Sequence, residues 1–381
     1  MKIAILTLRL HTNYGGILQA YALQKTLRDM GHDAVTLQCN ATPGHSALLM
    51  PLVYLKRMVN KCLGKYDKPI FAERIVRKND EIVSVDTRRF INEYICTNAL
   101  KSLNEIIETD YDAIVVGSDQ IWRKQYFTWD WCTCIANAFL KFTNGWNIKR
   151  IAYAASFGVD KIETEYSPSE IRDCAGCIEM FDAVSIREDA GADICRDKMG
   201  VAAQHVLDPT MLLTKEDYIS LVNSAKTPAS NGNLLCYFID NNDFKLGLTT
   251  QIAEKKKLRP ISFSVIYDET DSKNLKVQPS VETWLRGFMD AELIVTDSFH
   301  ACVFSIIFNK PFIVIGNEKR GLSRVLSLLK QFNIERNLIL ETDNISSESI
   351  IGLIAGAKAV DPADIEPFRI KSKDFLEQSL K

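Results

Sequence analysis

Apolar residues in this chain come in short unbroken runs rather than in strict alternation. The first run is Ile3 to Leu8, followed by a polar loop with two adjacent glycines and a helical pattern from Ile17 to Met30 that stops at Gly31. A second run, Asp33 to Cys39, completes a βαβ unit. Further runs at Ala113–Gly117, Arg150–Ala155 and Ala183–Ile186 each lead into a polar loop and a helix-compatible stretch. Strands without an in/out polarity, alternating with helices, predict a parallel sheet covered on both faces.

The pattern pauses at Leu207-Asp208-Pro209-Thr210, and a helix is expected near Thr214–Ser224. Residues 226–233 have the most loop-like composition in the chain. Alternation then restarts, with strands expected at Leu234–Ile239, Ile261–Val265, Glu292–Thr296 and Pro311–Ile315. The reading is an α/β protein of two doubly wound, Rossmann-like domains, 1–210 and 211–360, with a cleft between them. A charged tail, 361–381, is expected to form one or two helical turns and pack back on the body. In such sheets ligands bind outside the carboxyl ends of the strands, so chemistry belongs to the loops that follow them.

Composition narrows the class of protein. The chain has 381 residues, Lys+Arg 46 against Asp+Glu 48, and 46% hydrophobic residues. That near-neutral balance lacks the positive field needed to coat nucleic acid, and the apolar content argues against disorder. No stretch approaches the roughly 20 apolar residues that span a bilayer, and the N-terminal run is too short for a secretion signal. Ten irregularly spaced cysteines point to a reducing, cytoplasmic compartment. Cys174 and Cys177 have no second pair at ligand spacing, so no metal site is expected. Charge is uneven in one place. Ala47–Leu55 is wholly apolar, and Lys56–Lys78 then carries eight basic residues against Asp67 and Glu73. This is the composition of an interfacial helix on an anionic membrane. The other reading is a core helix with a solvated flank, and Pro51 speaks against one continuous amphipathic helix.

Four constellations can carry chemistry. Asn13-Tyr14-Gly15-Gly16 lies between the first strand and helix, where glycines admit a ligand to backbone amides and a helix N-terminus favours an anion. A simple tight turn is the alternative. Gly117-Ser118-Asp119-Gln120-Ile121-Trp122 follows a strand; its carboxylate and amide (Asp119, Gln120) suit hydroxyl recognition, and Trp122 suits stacking on a sugar face. The alternative is an N-cap at Ser118 or Asp119 with a core tryptophan. Arg187 leaves another strand end and can fork onto a carboxylate or phosphate, unless it pairs with Glu188 or Asp189. The sharpest is Thr296-Asp297-Ser298-Phe299-His300, which runs from a strand into an almost wholly apolar helix. His300 then sits in the first turn at the mouth of a strand, where a general acid or base belongs. Lys319, Arg320 and Arg324 add positive charge to the same rim, although Ser323-Arg324 can also simply begin a surface helix.

Taken in order, Asn13-Tyr14-Gly15-Gly16 with Leu18–Leu23, Val116–Trp122, Ala152–Gly158, Ser185–Glu188, Leu207–Thr210 and Thr296–His300 resemble the polysaccharide pyruvyl transferase family. The resemblance spans roughly residues 1–330 and implies a glycosyltransferase-B-like pair of Rossmann domains. It implies transfer of pyruvate from phosphoenolpyruvate to two hydroxyls of a sugar, giving a cyclic ketal and phosphate, in capsule or exopolysaccharide assembly. The acceptor expected is a lipid-linked oligosaccharide at the inner face of the membrane. No cofactor is expected beyond the phosphoenolpyruvate substrate. Carried over by residue, Arg187 holds the donor's anionic groups and His300 is the catalytic acid/base. Asp119 is the candidate to orient or deprotonate the acceptor.

Two positions depart from the family pattern. Many members carry Arg where this chain has Ser298, and Gly where it has Ala301. Donor binding then falls to Lys319, Arg320 or Arg324. A nucleotide-sugar glycosyltransferase of the same architecture, or a non-catalytic anion- or glycan-binding protein, are the competing functions.

Overall fold

The computed structural model describes residues 1–39, 50–64, 69–263, 276–316, 321–342 and 347–381. Seven strands form the first sheet: β1 (Lys2–Leu6), β2 (Asp33–Cys39), β3 (Thr97–Leu100), β4 (Ala113–Val116), β5 (Lys149–Ala155), β6 (Ala183–Ile186) and β7 (Gln204–His205). Their spatial order is β3-β2-β1-β4-β5-β6-β7. The second sheet has β8 (Leu234–Tyr237), β9 (Pro260–Ser262), β10 (Leu293–Thr296), β11 (Phe312–Gly316) and β12 (Leu338–Leu340), in the order β12-β11-β10-β8-β9. Every strand pair is parallel.

The unbroken apolar runs follow from burial on both faces. In β1, Ala4 and Leu6 join one core while Ile3 and Ile5 join another on the opposite face. β11 repeats the arrangement, with Phe312 and Val314 on one side and Ile313 and Ile315 on the other. The short strands β3, β7 and β12 were not anticipated: β3 and β7 lack such runs, and the run in β12 is only three residues long. β3 and β12 are edge strands, each paired on one side. β9 ends at Ser262, and residues 264–265 of the strand expected there lie outside the described residues.

One apolar cluster joins the two sheets. Tyr14, Ile17, Leu18 and Ala22 of the helix Tyr14–Asp29 share it with Trp284, Phe288, Phe299 and Phe304 from the second sheet's helices. Tyr14 stacks on Trp284 (centroids 5.2 Å, 21°), and its hydroxyl donates to the Pro279 carbonyl. Arg89 meets the buried carboxylate of Glu282 at 2.7 and 2.8 Å.

The C-terminal segment differs from expectation. Instead of one or two turns it forms an 18-residue helix, Pro362–Ser379, capped by the Asp361 side chain. Its length reflects buried positions all along it. Ile365 packs in the cluster between the sheets, and Phe375 and Leu376 pack beneath the first sheet. Between them Arg369 donates to the Met211 carbonyl at 2.8 Å, and Ser372 accepts from the Leu207 amide at 3.0 Å. The helix thus straps the chain segment that leads from one sheet to the other.

Within the basic segment, residues 47–49 and 65–68 lie outside the described residues. Met50–Cys62 is a helix despite Pro51, because a proline in the first turn forfeits no intrahelical donor. None of its residues is buried, which removes the core-helix reading. Leu52, Leu55, Val59 and Leu63 are exposed along one stripe. Cys174 and Cys177, by contrast, are buried in the first sheet's core as free thiols.

Leu376 is fully buried against Tyr153 and Leu212 in that core cluster. Leu376→Ala should therefore cost roughly 2–5 kcal/mol of stability, measurable as a lower urea midpoint.

Candidate active site

The site lies at the carboxyl ends of both sheets. The helix Tyr14–Asp29 begins three residues before the expected start, so Gly15 and Gly16 occupy its first turn rather than a loop. The Asn13 side chain caps no helix amide. The reason for Gly15 is steric: a Cβ there would stand 2.1 Å from His300 Nδ1. A Cβ on Gly16 would lie 3.2 Å from Asn13 Nδ2 and 3.5 Å from Asp119 Oδ2. The two glycines let an imidazole and a carboxylate approach the helix closely.

His300 is brought there by the helix Phe299–Ile307, which follows β10 and is buried along its whole length between the sheets. Ser298 is its N-cap, the role that a Thr-Asp-Ser run ahead of an apolar helix signals: the hydroxyl accepts from the Ala301 amide at 3.4 Å, and the Ser298 amide donates to Thr296 Oγ1 at 3.0 Å. Ala301 is fully buried in the apolar cluster, where its methyl is accommodated without breaking the helix start. Asp297 is tied to Lys245 Nζ at 2.7 Å and to the Ile239 amide, so it holds β8 to β10.

His300 Nε2 faces Asp208 Oδ2 at 3.7 Å, beyond hydrogen-bond length, and has no hydrogen-bond partner among the described residues. Asp208 accepts from the Thr210 amide and hydroxyl through Oδ1, and from Arg187 Nη1 at 2.6 Å through Oδ2. Burial opposes its ionisation, but His300 and Arg187 hold the carboxyl well below the usual carboxylate range. Arg187 also donates from Nη2 to Asp119 Oδ1 at 3.2 Å, and its Nε lies 3.8 Å from Glu188 Oε2. Burial pushes Glu188 up despite the facing guanidinium.

This revises the expectation for Arg187. Its guanidinium is sealed from solvent and surrounded by three of the chain's own carboxylates, Asp208, Asp119 and Glu188. The expected alternative partner Asp189 lies elsewhere, 3.2 Å from His205 Nδ1. A cation with unspent donors is Arg324, which is half-buried in the first turn of the helix Leu322–Gln331, with Nε unpartnered among the described residues. Burial, then neighbouring Arg187, pushes its guanidinium down to about 10. Arg187 and Arg324 both lie over the Phe299 ring, 4.8 and 5.6 Å from its centroid. Lys319 and Arg320 lie outside the described residues.

Asp119 arrives on a loop that starts no helix, since the next one begins at Lys124. Gly117, at φ 134°, passes so near the Tyr153 carbonyl that a Cβ would sit 2.1 Å from the oxygen. The Ser118 amide donates to Gln19 Oε1 and its hydroxyl to the Ala154 carbonyl, so this residue shapes the loop rather than capping anything. Gln120 accepts from Arg123 Nη1 at 3.0 Å. Trp122 is 0% exposed, stacked on Phe139 with Nε1 donating to Ala138. It fills the core beneath the loop and has no face to offer a sugar, contrary to expectation.

A cavity of about 420 Å³ opens beside Asp119, with Asn13, Gly16 and Gln120 on one side and Tyr126, Trp129 and Asp130 on the other. Asp208 was legible as part of a pause between domains and of one family motif, with no role of its own. Trp129 and Asp130 carried no sequence signal, because their value depends on the cavity they face. Among the described residues no cluster of three or more His, Cys, Asp or Glu side chains could hold a metal ion.

Two outcomes follow from this geometry. Replacing Arg187 by Met leaves three carboxylates buried without their counter-charge and should cost about 3–5 kcal/mol in denaturant unfolding. Gly15→Ala should displace the His300 ring and move its imidazole signals in an NMR spectrum while the amide spectrum of both sheets stays native.

A family model described as polysaccharide pyruvyl transferase matches residues 13–319. No curated protein matches the chain significantly. Among solved structures, the UDP-GlcNAc 2-epimerase of Neisseria meningitidis, in its complex with UDP-GlcNAc, is similar in fold. Its TM-score is 0.51 at 10% identity, over 99% of this chain and 100% of that one. The UDP-N-acetylglucosamine 2-epimerase of Rickettsia bellii gives 0.47 at 10% identity, over 99% and 95%. The architecture is glycosyltransferase-B-like.

Proposed function

The chain belongs to the polysaccharide pyruvyl transferase family, and from that premise we propose that it moves pyruvate from phosphoenolpyruvate onto two hydroxyls of one sugar. The observation that carries this reading is the meeting of His300, borne by the second sheet, with Asp208 and Gly15 of the first-sheet side, where Arg187 ties Asp208 to Asp119. Each comes from a different family motif, and together they form one polar cluster.

His300 delivers a proton to the donor's methylene carbon, and oxocarbenium character develops at the central carbon. Asp208, kept ionised beside Nε2, stabilises the imidazolium before that transfer. Arg324 meets the donor's anionic groups, in place of an arginine at position 298. Asp119 orients the first sugar hydroxyl, whose oxygen attacks the central carbon as its proton leaves. Cleavage of the carbon–oxygen bond releases phosphate, and the second hydroxyl closes the ketal. Of the two hydroxyl protons, one balances that added to carbon and the other leaves on hydrogen phosphate. Arg187 acts on the protein, fixing Asp208 and Asp119 in register.

The acceptor in this reading is lipid-linked, and the helix Met50–Cys62 is the contact with an anionic membrane. Its exposed stripe of Leu52, Leu55 and Val59 is flanked by Lys56, Lys61 lies on the opposite face, and no acidic residue lies on the helix. No helix among the described residues is long and apolar enough to cross a membrane.

Phosphate release from phosphoenolpyruvate should require a glycan acceptor, and His300→Ala should slow it about 10²–10⁴-fold. No release with any acceptor, together with tight binding of a nucleotide sugar, would make the protein a glycosyltransferase instead. The double substitution Lys56→Glu, Lys61→Glu should weaken sedimentation with phosphatidylglycerol-containing vesicles; unchanged sedimentation removes the membrane contact.

A further inference from the structure

The cavity beside Asp119 is not accounted for by donor chemistry. It opens near the carboxyl ends of β1 and β4, between which the strand order of the first sheet reverses, the place where doubly wound sheets bind ligands. Its volume of about 420 Å³ is within the range of small-ligand sites. Its outer wall is the helix Lys124–Trp131. Phe127 and Trp131, four residues apart, anchor that helix in the core, and Trp131 Nε1 donates to the Thr7 carbonyl at 2.9 Å. The anchoring turns Tyr126 and Trp129, three residues apart, outward.

These two aromatic rings are not equivalent. The Arg123 guanidinium lies 4.6 Å from the centre of the Tyr126 ring. Trp129 is 66% exposed at the cavity, and nothing among the described residues stacks on it. The cavity floor is acidic. Asp119, its side chain 94% buried, gives Oδ1 to Arg187, while no protein donor among the described residues reaches Oδ2. Asp130 accepts from the Arg9 amide through Oδ2, and burial pushes its carboxyl up, with Asp119 adding to the effect. Among the described residues Arg9 is the single cation lining the cavity.

A rigid exposed indole beside two hydrogen-bond-accepting carboxylates fits the two surfaces of a pyranose: an apolar C–H face and a rim of hydroxyl donors. The same carboxylates repel an anion, which separates this cavity from the cationic side of Arg324. We infer that the cavity is the subsite for an uncharged hexopyranose of the acceptor, with Trp129 as its stacking face, Asp130 as a hydroxyl acceptor that sets specificity, and Asp119 at the end facing His300. This rests on the reading that the acceptor is a sugar, but it does not depend on pyruvate being the group transferred.

The test is isothermal titration of the full chain, without phosphoenolpyruvate, with short oligosaccharides ending in galactose, glucose or mannose. Galacturonate-terminated counterparts provide the charged comparison. At least one neutral series should bind, with the uronate form ten-fold weaker or worse. Trp129→Ala should lose at least ten-fold in affinity with an unchanged melting temperature, because the side chain is exposed. Asp130→Asn should alter the order of preference among the neutral sugars. The inference is overturned if no neutral glycan binds at millimolar concentration, if Trp129→Ala binds as the parent does, or if the uronate binds equally well. Binding that follows these expectations without phosphate release would sink the pyruvyl reading and leave the subsite standing. Acceptor-dependent release with an acceptor KM unmoved by Trp129→Ala would do the reverse.

Discussion

The guanidinium of Arg187 is the constraint on which the site's geometry depends. It lies in a region closed to solvent, where three carboxylates on their own would repel one another strongly. Its planar fork binds Asp208 with one amino group and Asp119 with the other, so two residues 89 positions apart in the sequence are set in one register. Asp208 in turn faces His300, and Asp119 faces the cavity. An arginine that forms no free anion site thereby determines where Asp208 and Asp119 stand. A lysine, with a point charge and no fork, could not impose the same register.

The second constraint is apolar. The continuous cluster from Tyr14 to Phe304 brings the two sheets together so closely that a side chain larger than hydrogen at position 15 would occupy the space of the His300 ring. Tyr14–Trp284 stacking and the Arg89–Glu282 pair flank this contact, and the C-terminal helix straps the crossing segment from behind. Packing of this density makes the His300–Asp208 distance a property of two domains rather than of one loop.

Charge then divides the site into two environments. On the side of Phe299, Arg187 and Arg324 place two guanidinium groups on one aromatic ring, and Arg324 keeps unspent donors for an anion. On the side of Trp129, Asp119 and Asp130 offer acceptors to hydroxyl groups. The transfer proposed above, from a polyanionic donor to a neutral polyol, would draw on both environments.

Much of this protein was legible from its residues alone. Apolar runs such as Ile3–Leu6 and Phe312–Ile315 announce strands buried on both faces, because a run without alternation has no face to leave in water. The order of motifs identified the family, and His300 stood out because a strand end followed by a capped apolar helix is a recognisable local signal. What only the tertiary structure decided was how side chains distant in sequence meet. Trp122 and Trp129 are both tryptophans near the same strand end, yet one fills a core and the other faces a cavity, since their fates depend on which side of a helix or loop the rest of the fold covers. Gly15 reads as ligand-binding until a histidine 285 residues away is found against it. Arg187 reads as a cation that could at most pair with its neighbours Glu188 or Asp189, until Asp119 and Asp208 from separate segments close on it beside Glu188. Local patterns encode elements and burial through short-range periodicity; partners across the fold are set by packing, which no short stretch of sequence contains.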